Sequence, residues 1–383
     1  MITTLETNTL FHNYGTRELA MVRGEGPYLF DTEGKRYLDF TAGIAVCSLG
    51  HAHPGAVAVL KQQAETLWHT SNLFLVPGQV ELASKLAILS KLPDAKAMFV
   101  NTGTEANEAA LKLARRYQLL YGGSPTRTKI LSLPGAFHGR TMGALSMTPK
   151  PAYHEGFQPL VPDCISPETF DAVLEAIDED VAACIVEIVQ GEAGVHPVDT
   201  SFLQELAARL RQCGALLIVD EVQTGVGRTG SFYGYEQVGI QPDIVTMAKG
   251  LGNGFPVGAV VAKGAVAQAF TPGAHGSTFG GNPLAMAVGN YVVDTVSQPE
   301  FLAHVQTMGR HLQKILESFA NNVTGRGLMW GFDVPDAGLF LERAANHGLL
   351  VTKCGPKRIR VVPPLIITEE HIDEFANTIN LIK

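Results

Sequence analysis

Three pieces of one stretch decide the fold: CIVEIVQGEAGV at 184–195, GALLIVDEVQTGVGRTG at 214–230 and PDIVTMAKGLGNG at 242–254. Each opens with a short apolar run rich in Ile and Val and ends in a charged or polar residue followed by a glycine-containing loop. That is the pattern of parallel strands buried on both faces, with their C-terminal ends opening onto a site. The groups delivered there are Glu187, Asp220 with Gln223, and Lys249. A lysine at the mouth of an apolar strand, followed by glycine, is a costly place for an ammonium unless its chemistry is used.

Working outward, AMFVNTGTEANEAALKLARRYQLL at 97–120 reads as strand, loop and helix. The helix is expected after Thr104, with Ala106, Ala109, Ala110, Leu113, Ala114 and Tyr117 forming an apolar stripe. Its first amides are unpaired, so Gly103 and Thr104 form a candidate phosphate cradle. In TKILSLPGAFHGRTMGALSMT at 128–148, Phe137 and Arg140 stand at a strand exit. A ring there can stack on a flat cofactor and a guanidinium can pair with a carboxylate, although taken alone the two also read as a core ring and a surface charge.

Helices are expected over 166–177, 201–213, near 300–318 and 338–347, with strands at FPVGAVVAK and GLMWGFDV. Near the start, GPYLFDTEGKRYLDFTAG reads as an antiparallel hairpin in which Asp31 and Asp39 are turn and strand-end residues. His51 and His53 flank a turn with no further ligand close in sequence, so no metal is expected. Asn72 to Phe74 reads equally as a substrate entrance or as a packed loop. At the C-terminus, Thr368 caps a helix with Glu369 and Glu370 in its first turn. The expected division is a large unit over 48–285 and a smaller α+β unit made of 1–47 and 286–383. Residues 1 to about 20 form an irregular or helical arm.

The chain has 383 residues, 17% of them charged, and a formal net charge of −8. Such a balance gives no general attraction to nucleic acid or to an anionic membrane. No apolar run reaches the length of a bilayer span. The N-terminal MITTLETNTLFHNYG has no basic region leading into an apolar one, and the scattered Cys47, Cys164, Cys184, Cys213 and Cys354 form no metal-ligand spacing. Together these predict a cytoplasmic protein with reduced thiols.

Lysine can form an imine with an aldehyde, which is how pyridoxal phosphate is held. The other groups meet that cofactor's needs: Asp220 for a protonated pyridine nitrogen, Gln223 for the phenolic oxygen, Phe137 for a ring face, Gly103 and Thr104 for the phosphate. A nicotinamide-dependent dehydrogenase fits less well. Gly225, Gly227 and Gly230 have G-x-G-x-x-G spacing, but they come late in the chain and no ribose-binding acid follows. No P-loop motif is present. A purely structural protein would leave the polar strand ends unexplained.

DEVQTGVGRTG at 220–230 and TMAKGLGNGFPVGA at 246–259 carry a specific resemblance. From Tyr14 to the last helix the chain resembles the class III (ornithine aminotransferase-like) aminotransferases of the pyridoxal-phosphate fold type I superfamily. The resemblance implies an α/β large domain with a mostly parallel central sheet, and a second, smaller α+β domain. It makes Lys249 the imine lysine of a ping-pong transfer and assigns Asp220, Gln223, Phe137, Gly103 and Thr104 the cofactor contacts just described. Thr278, in HGSTFGGNPLA, is implied to reach the phosphate of a neighbouring subunit, so that a homodimer is the working unit.

Arg140 is implied to bind the α-carboxylate of the donor, and Arg360 that of glutamate in the other half-reaction, while Glu192 neutralises Arg360 when glutamate is absent. SNLF at 71–74 and FHGRTMGALS at 137–146 resemble the branch that acts on N2-acetylornithine and 2-oxoglutarate in arginine biosynthesis. Alternatives are ornithine, 4-aminobutyrate, succinylornithine or N-succinyl-diaminopimelate. Ile44 stands where ornithine-specific members have tyrosine, Ile188 where many have proline, and Phe279 where tyrosine is common.

Overall fold

The computed structural model describes residues 10–15 and 18–382. Much of the expected N-terminal arm therefore lies outside the described residues; within it His12–Tyr14 form a single 3-10 turn. The centre is a seven-stranded sheet in the order Lys96–Val100, Gly258–Ala262, Ile244–Met247, Leu216–Asp220, Val181–Val186, Lys129–Ser132, Cys164–Ile165. Neighbours from Ile244–Met247 through Cys164–Ile165 run parallel. Gly258–Ala262 is antiparallel to both of its partners, a direction its apolar run does not encode.

The three quoted runs become adjacent strands because each is a β-branched, uncharged segment that can be buried on both faces. In register, Ile218 lies opposite Ile185 on one side and Ile244 on the other. Alternate residues then enter two different apolar layers. Ile185, Ile218 and Ile244 pack with Ala106, Ala109, Ala110 and Leu113. Cys184, Val186, Leu217, Val219 and Val245 enter the larger layer on the other face. Full burial of each such aliphatic side chain contributes roughly 1.5–3 kcal/mol.

Gly103–Tyr121 forms the helix over one face, with Thr102 as N-cap accepting from the Glu105 amide at 3.2 Å. It thus begins at Gly103, two residues before the start expected after Thr104. The helix expected over 166–177 is shorter, Phe170–Glu175, and follows the strand Cys164–Ile165. Pro167 disfavours helical geometry at Ser166, and Thr169 takes the cap by accepting from the Ala172 amide at 3.1 Å. Thr200–Cys213 is capped by Asp199 and ended by the left-handed Gly214. Pro299–Phe319, Ala337–Asn346 and Glu369–Ile382 are the other expected helices, and at the start of the last the Thr368 hydroxyl lies 2.8 Å from His371 Nδ1.

Among the described residues there are also two four-stranded sheets, besides a two-stranded pair, Val189–Gln190 with His196–Pro197. Tyr28–Asp31 and Arg36–Asp39 form the expected hairpin, Met21–Glu25 adds an unexpected antiparallel strand, and Leu349–Leu350 pairs in parallel with Arg36–Asp39. The N-terminal strands are thereby tied to the C-terminal part. Asn321–Arg326, Met329–Asp333, Arg358–Val361 and Thr352–Lys353 form the other four-stranded sheet. Among the described residues no helix is long and apolar enough to cross a membrane.

Candidate active site

The C-terminal ends of Leu216–Asp220 and Ile244–Met247 open into a cavity of about 410 Å³, which Gly103, Phe137, Asp220, Gln223 and Lys249 help to line. Asp220 is the last residue of its strand and is 4% exposed. Its Oδ2 accepts from Asn107 Nδ2 at 2.8 Å and lies 2.8 Å from His138 Nδ1, while Oδ1 accepts from the Val222 amide at 3.0 Å. Asn107 also donates to the His138 carbonyl at 2.7 Å. His138 is fixed further by its amide, which donates to Thr148 Oγ1 at 2.9 Å. A charge-assisted bond from each side holds the carboxylate rigidly.

Neither His138 nor Asn107 was singled out from sequence. The signal for His138 was its place between Phe137 and Arg140; Asn107 looked like any polar helix position.

Lys249 begins a 3-10 turn with φ at +44°. For a non-glycine residue this costs of the order of 1–2 kcal/mol, strain of the kind that collects at working sites. Part of the side chain opens on the cavity. Burial of the amine nevertheless dominates and, with the positive Arg360, moves its pKa below the usual lysine range, against the pull of Glu192, Asp220 and Glu187. A lowered pKa leaves more free amine, the nucleophilic form.

In the same cavity, the N-terminus of Gly103–Tyr121 presents the amides of Gly103 and Thr104, which have no partner inside the helix. A Cβ at Gly103 would stand 2.6 Å from Val222 Cγ1, so a side chain there would push into the cavity wall. The Thr104 hydroxyl lies 2.7 Å from Thr141 Oγ1 and accepts from the Arg140 amide at 3.3 Å.

Phe137 is anchored by its amide, which donates to Glu187 Oε1 at 2.8 Å. Glu187 also accepts from the Gly191 amide at 3.4 Å. Burial pushes its carboxyl up to about 7, and Asp220 adds to the effect while His138 and the two amides oppose it. Arg140 is at the rim, its Cζ 3.4 Å from the centre of the Tyr153 ring and 5.9 Å from that of Phe137. Tyr153 is thus a cation–π support that the sequence pattern did not mark.

Arg360, on Arg358–Val361, is 2% exposed. Its Nη1 donates to Glu192 Oε1 at 2.6 Å and to Gln223 Oε1 at 3.3 Å, and its Nε donates to Thr352 Oγ1 at 3.2 Å. Burial would raise the Glu192 carboxyl, but Arg360 outweighs it and holds it below the ordinary value. Gln223 bridges this pair to the cavity. Thr278 lies outside the cavity of its own chain, in a crevice shared with His69 and Thr70.

A family model described as aminotransferase class-III matches residues 11–382. The chain is 46% identical over 374 residues to the acetylornithine aminotransferase of Aquifex aeolicus (strain VF5), covering 97% of this chain and 98% of the relative. It is similar to the solved N-acetylornithine aminotransferase from Stenotrophomonas maltophilia K279a, with a TM-score of 0.84 and 34% identity over 97% of each chain. An ornithine aminotransferase from Toxoplasma gondii, described with partial occupancy of PLP at its active site, superposes with a TM-score of 0.93 at 30% identity, covering 98% of this chain and 92% of that one.

Proposed function

Because the chain belongs to the class III aminotransferases, we propose that it transfers the distal amine of N2-acetylornithine to 2-oxoglutarate, giving N-acetylglutamate 5-semialdehyde and glutamate. The observation that carries this reading is the pairing of buried Arg360 with Glu192 beside a cavity whose rim holds a second arginine, Arg140. One site thus has two carboxylate receptors, and one of them is reversibly occupied.

The residues present fit pyridoxal phosphate. A buried carboxylate stands at the base of the cavity, a lysine with a lowered pKa at its wall, and a helix N-terminus with a glycine cradle at its end. When bound, the cofactor supplies an aldehyde carbon for covalent attachment and a ring that takes up electrons from the substrate. Asp220 would hold negative charge at the ring nitrogen, and His138 and Asn107 keep that carboxylate in place. Gly103 and Thr104 would offer amides to the phosphate, Gln223 would serve the phenolic oxygen, and Phe137 would cover a ring face.

Lys249 would have two tasks: to hold the cofactor and, through its free amine, to move a proton at the donor's amine-bearing carbon. Arg140 orients the α-carboxylate of the ω-amino donor so that the distal amine reaches Lys249. For glutamate, Glu192 releases Arg360, which takes the α-carboxylate while Arg140 receives the distal one. Pairing Arg360 in the first half-reaction avoids an uncompensated buried cation.

The domain division, 48–285 against 1–47 with 286–383, puts Lys249 on one unit and Arg360 on the other. The homodimer assignment is supported by exposed Trp68, Leu73, Phe74, Leu75 and Phe279 near Thr278, an apolar surface of the kind that packs against a partner. In that assembly Thr278 of the partner subunit would complete the phosphate contacts. All five cysteines are free, which fits a reducing cytoplasm.

The test is a set of single half-reactions of the cofactor-loaded protein with N-acetylornithine, ornithine, 4-aminobutyrate, succinylornithine and glutamate, followed by loss of the lysine-bound cofactor absorbance. Fast conversion by N-acetylornithine and glutamate alone supports the assignment. A faster response to ornithine, 4-aminobutyrate or succinylornithine would replace the donor and leave the cofactor chemistry in place.

A further inference from the structure

After Arg36–Asp39 the backbone enters a turn that L-residues disfavour. Ala42, Gly43, Ile44 and Ala45 have φ of 45°, 63°, 68° and 61°, a left-handed turn with a single glycine among its four members. Amides of Ile44 and Ala45 donate to the Thr41 carbonyl at 2.8 and 2.9 Å, and those of Val46 and Cys47 to the Ala42 carbonyl, both at 2.8 Å. These bonds close the turn, but its entry is fixed by a side chain. Asp39 is fully buried. Its Oδ1 accepts from the Thr41 amide at 2.8 Å, the Thr41 hydroxyl at 2.7 Å and the Ala42 amide at 3.1 Å. Its Oδ2 lies 2.7 Å from His51 Nε2, so the carboxylate joins both ends of the segment 39–51.

This segment touches both halves of the site. Val46 lines the cavity. Toward Lys249, the Leu49 amide donates to Asn253 Oδ1 at 2.7 Å and Asn253 Nδ2 donates to the Gly50 carbonyl at 3.1 Å. Ser48 sits so close to Gly250 that a Cβ there would meet its Oγ at 2.6 Å. Toward Arg360, the Phe40 carbonyl accepts from the Val362 amide at 2.8 Å, and the Ser48 carbonyl from the Leu365 amide at 2.7 Å. Strain of this kind persists only where surrounding contacts over-determine it, and the contacts here are those linking the lysine loop to the arginine strand.

We propose that Asp39 and His51 are positioning residues of the transfer reaction: their pair holds residues 42–45 left-handed, which places Val46 in the cavity wall and sets the Lys249 loop against the Arg360 strand. The proposal rests on the reading of the cavity as the amino-donor site. Burial works against a charged His51, but its bonds to Asp39 and Cys47 prevail and push it up to about 9, in keeping with an ion pair.

Four cofactor-loaded proteins test this: wild type, His51→Ala, His51→Gln and His51→Ala with Ala45→Gly. In His51→Ala, amide exchange over residues 41–47 should quicken about tenfold or more. The KM for N-acetylornithine should rise about tenfold with kcat changed less than about threefold, because the wall is displaced while Lys249 remains. His51→Gln can still donate to Asp39 and should stay near wild type. Glycine at 45 tolerates positive φ, so the double variant should recover most of the protection and of the KM. Unchanged exchange and KM in His51→Ala, or a double variant no better than the single one, would overturn the proposal. If wild type converts none of the ω-amino donors, the functional reading fails, and amide exchange alone still decides whether the pair holds the turn.

Discussion

Glu192 Oε1 lies 2.6 Å from Arg360 Nη1, and the same nitrogen donates to Gln223 Oε1 at 3.3 Å. The arginine is therefore neutralised on one side and tied to the cavity on the other. Changing Glu192→Gln removes the charge and keeps an acceptor. Arg360 then stands free for an α-carboxylate and repels the cationic amine of a distal-amine donor. The rate of the ω-amine half-reaction relative to that of glutamate should fall about tenfold or more, equivalent to roughly 1.4 kcal/mol. Equal half-reaction ratios in variant and wild type would remove the switch.

Lys249→Ala should abolish multiple turnover, by more than the roughly 10²–10⁴-fold attached to general acid–base catalysis alone, since covalent holding is lost as well. Neither residue relieves the φ of +44°, so circular dichroism and thermal unfolding should change little. Near-normal turnover would refute the role given to this lysine.

Gly103→Ala places a methyl 2.6 Å from Val222 Cγ1. Val222 is β-branched and cannot swing clear, so the helix N-terminus or the cavity wall must shift. Cofactor affinity, measured by equilibrium titration, should weaken about tenfold, a cost of 1.4 kcal/mol. Adding Val222→Ala makes room and should restore most of it. If the double variant binds no better than Gly103→Ala, the cradle is not where the phosphate sits.

Lys249 and Asp220 were legible because a change from apolar run to polar residue is local, and every buried strand displays it. Gly258–Ala262 was legible as a strand but not in its direction, since side-chain alternation is the same in parallel and antiparallel pairs. His138 and Asn107 were missed because their role depends on a carboxylate 82 and 113 residues away. Asp39 reads as a strand-end residue, and nothing in TAGIA shows that it would anchor a left-handed turn: alanine and isoleucine both favour the ordinary hand. The apolar pattern over 166–177 is helical throughout, but Pro167 sets a boundary that shortens the helix to Phe170–Glu175.

Glu187 and Glu221 predict the pH dependence of stability. Both are buried. Burial is the largest influence on each and pushes each up to about 7 from an ordinary value of 4.5. Unfolded, these carboxyls lose their protons near 4.5; folded, they keep them until about 7. Between those values the folded protein binds more protons than the unfolded chain, so their contribution makes stability fall as pH rises through the window. Glu187→Gln retains an oxygen for the Phe137 amide, which now donates at 2.8 Å to Oε1, and removes the ionisation. The melting temperature of the cofactor-free variant should therefore fall less steeply from pH 4.5 to 7 and exceed that of wild type by a few degrees above pH 7. Part of the slope should remain, because Glu221 still titrates there, its carboxylate oxygens accepting from the Tyr235 amide and the Thr224 hydroxyl at 2.8 and 2.9 Å. A melting profile parallel to wild type across the whole window would show that Glu187 is already ionised in the folded protein, and that the two backbone amides outweigh its burial.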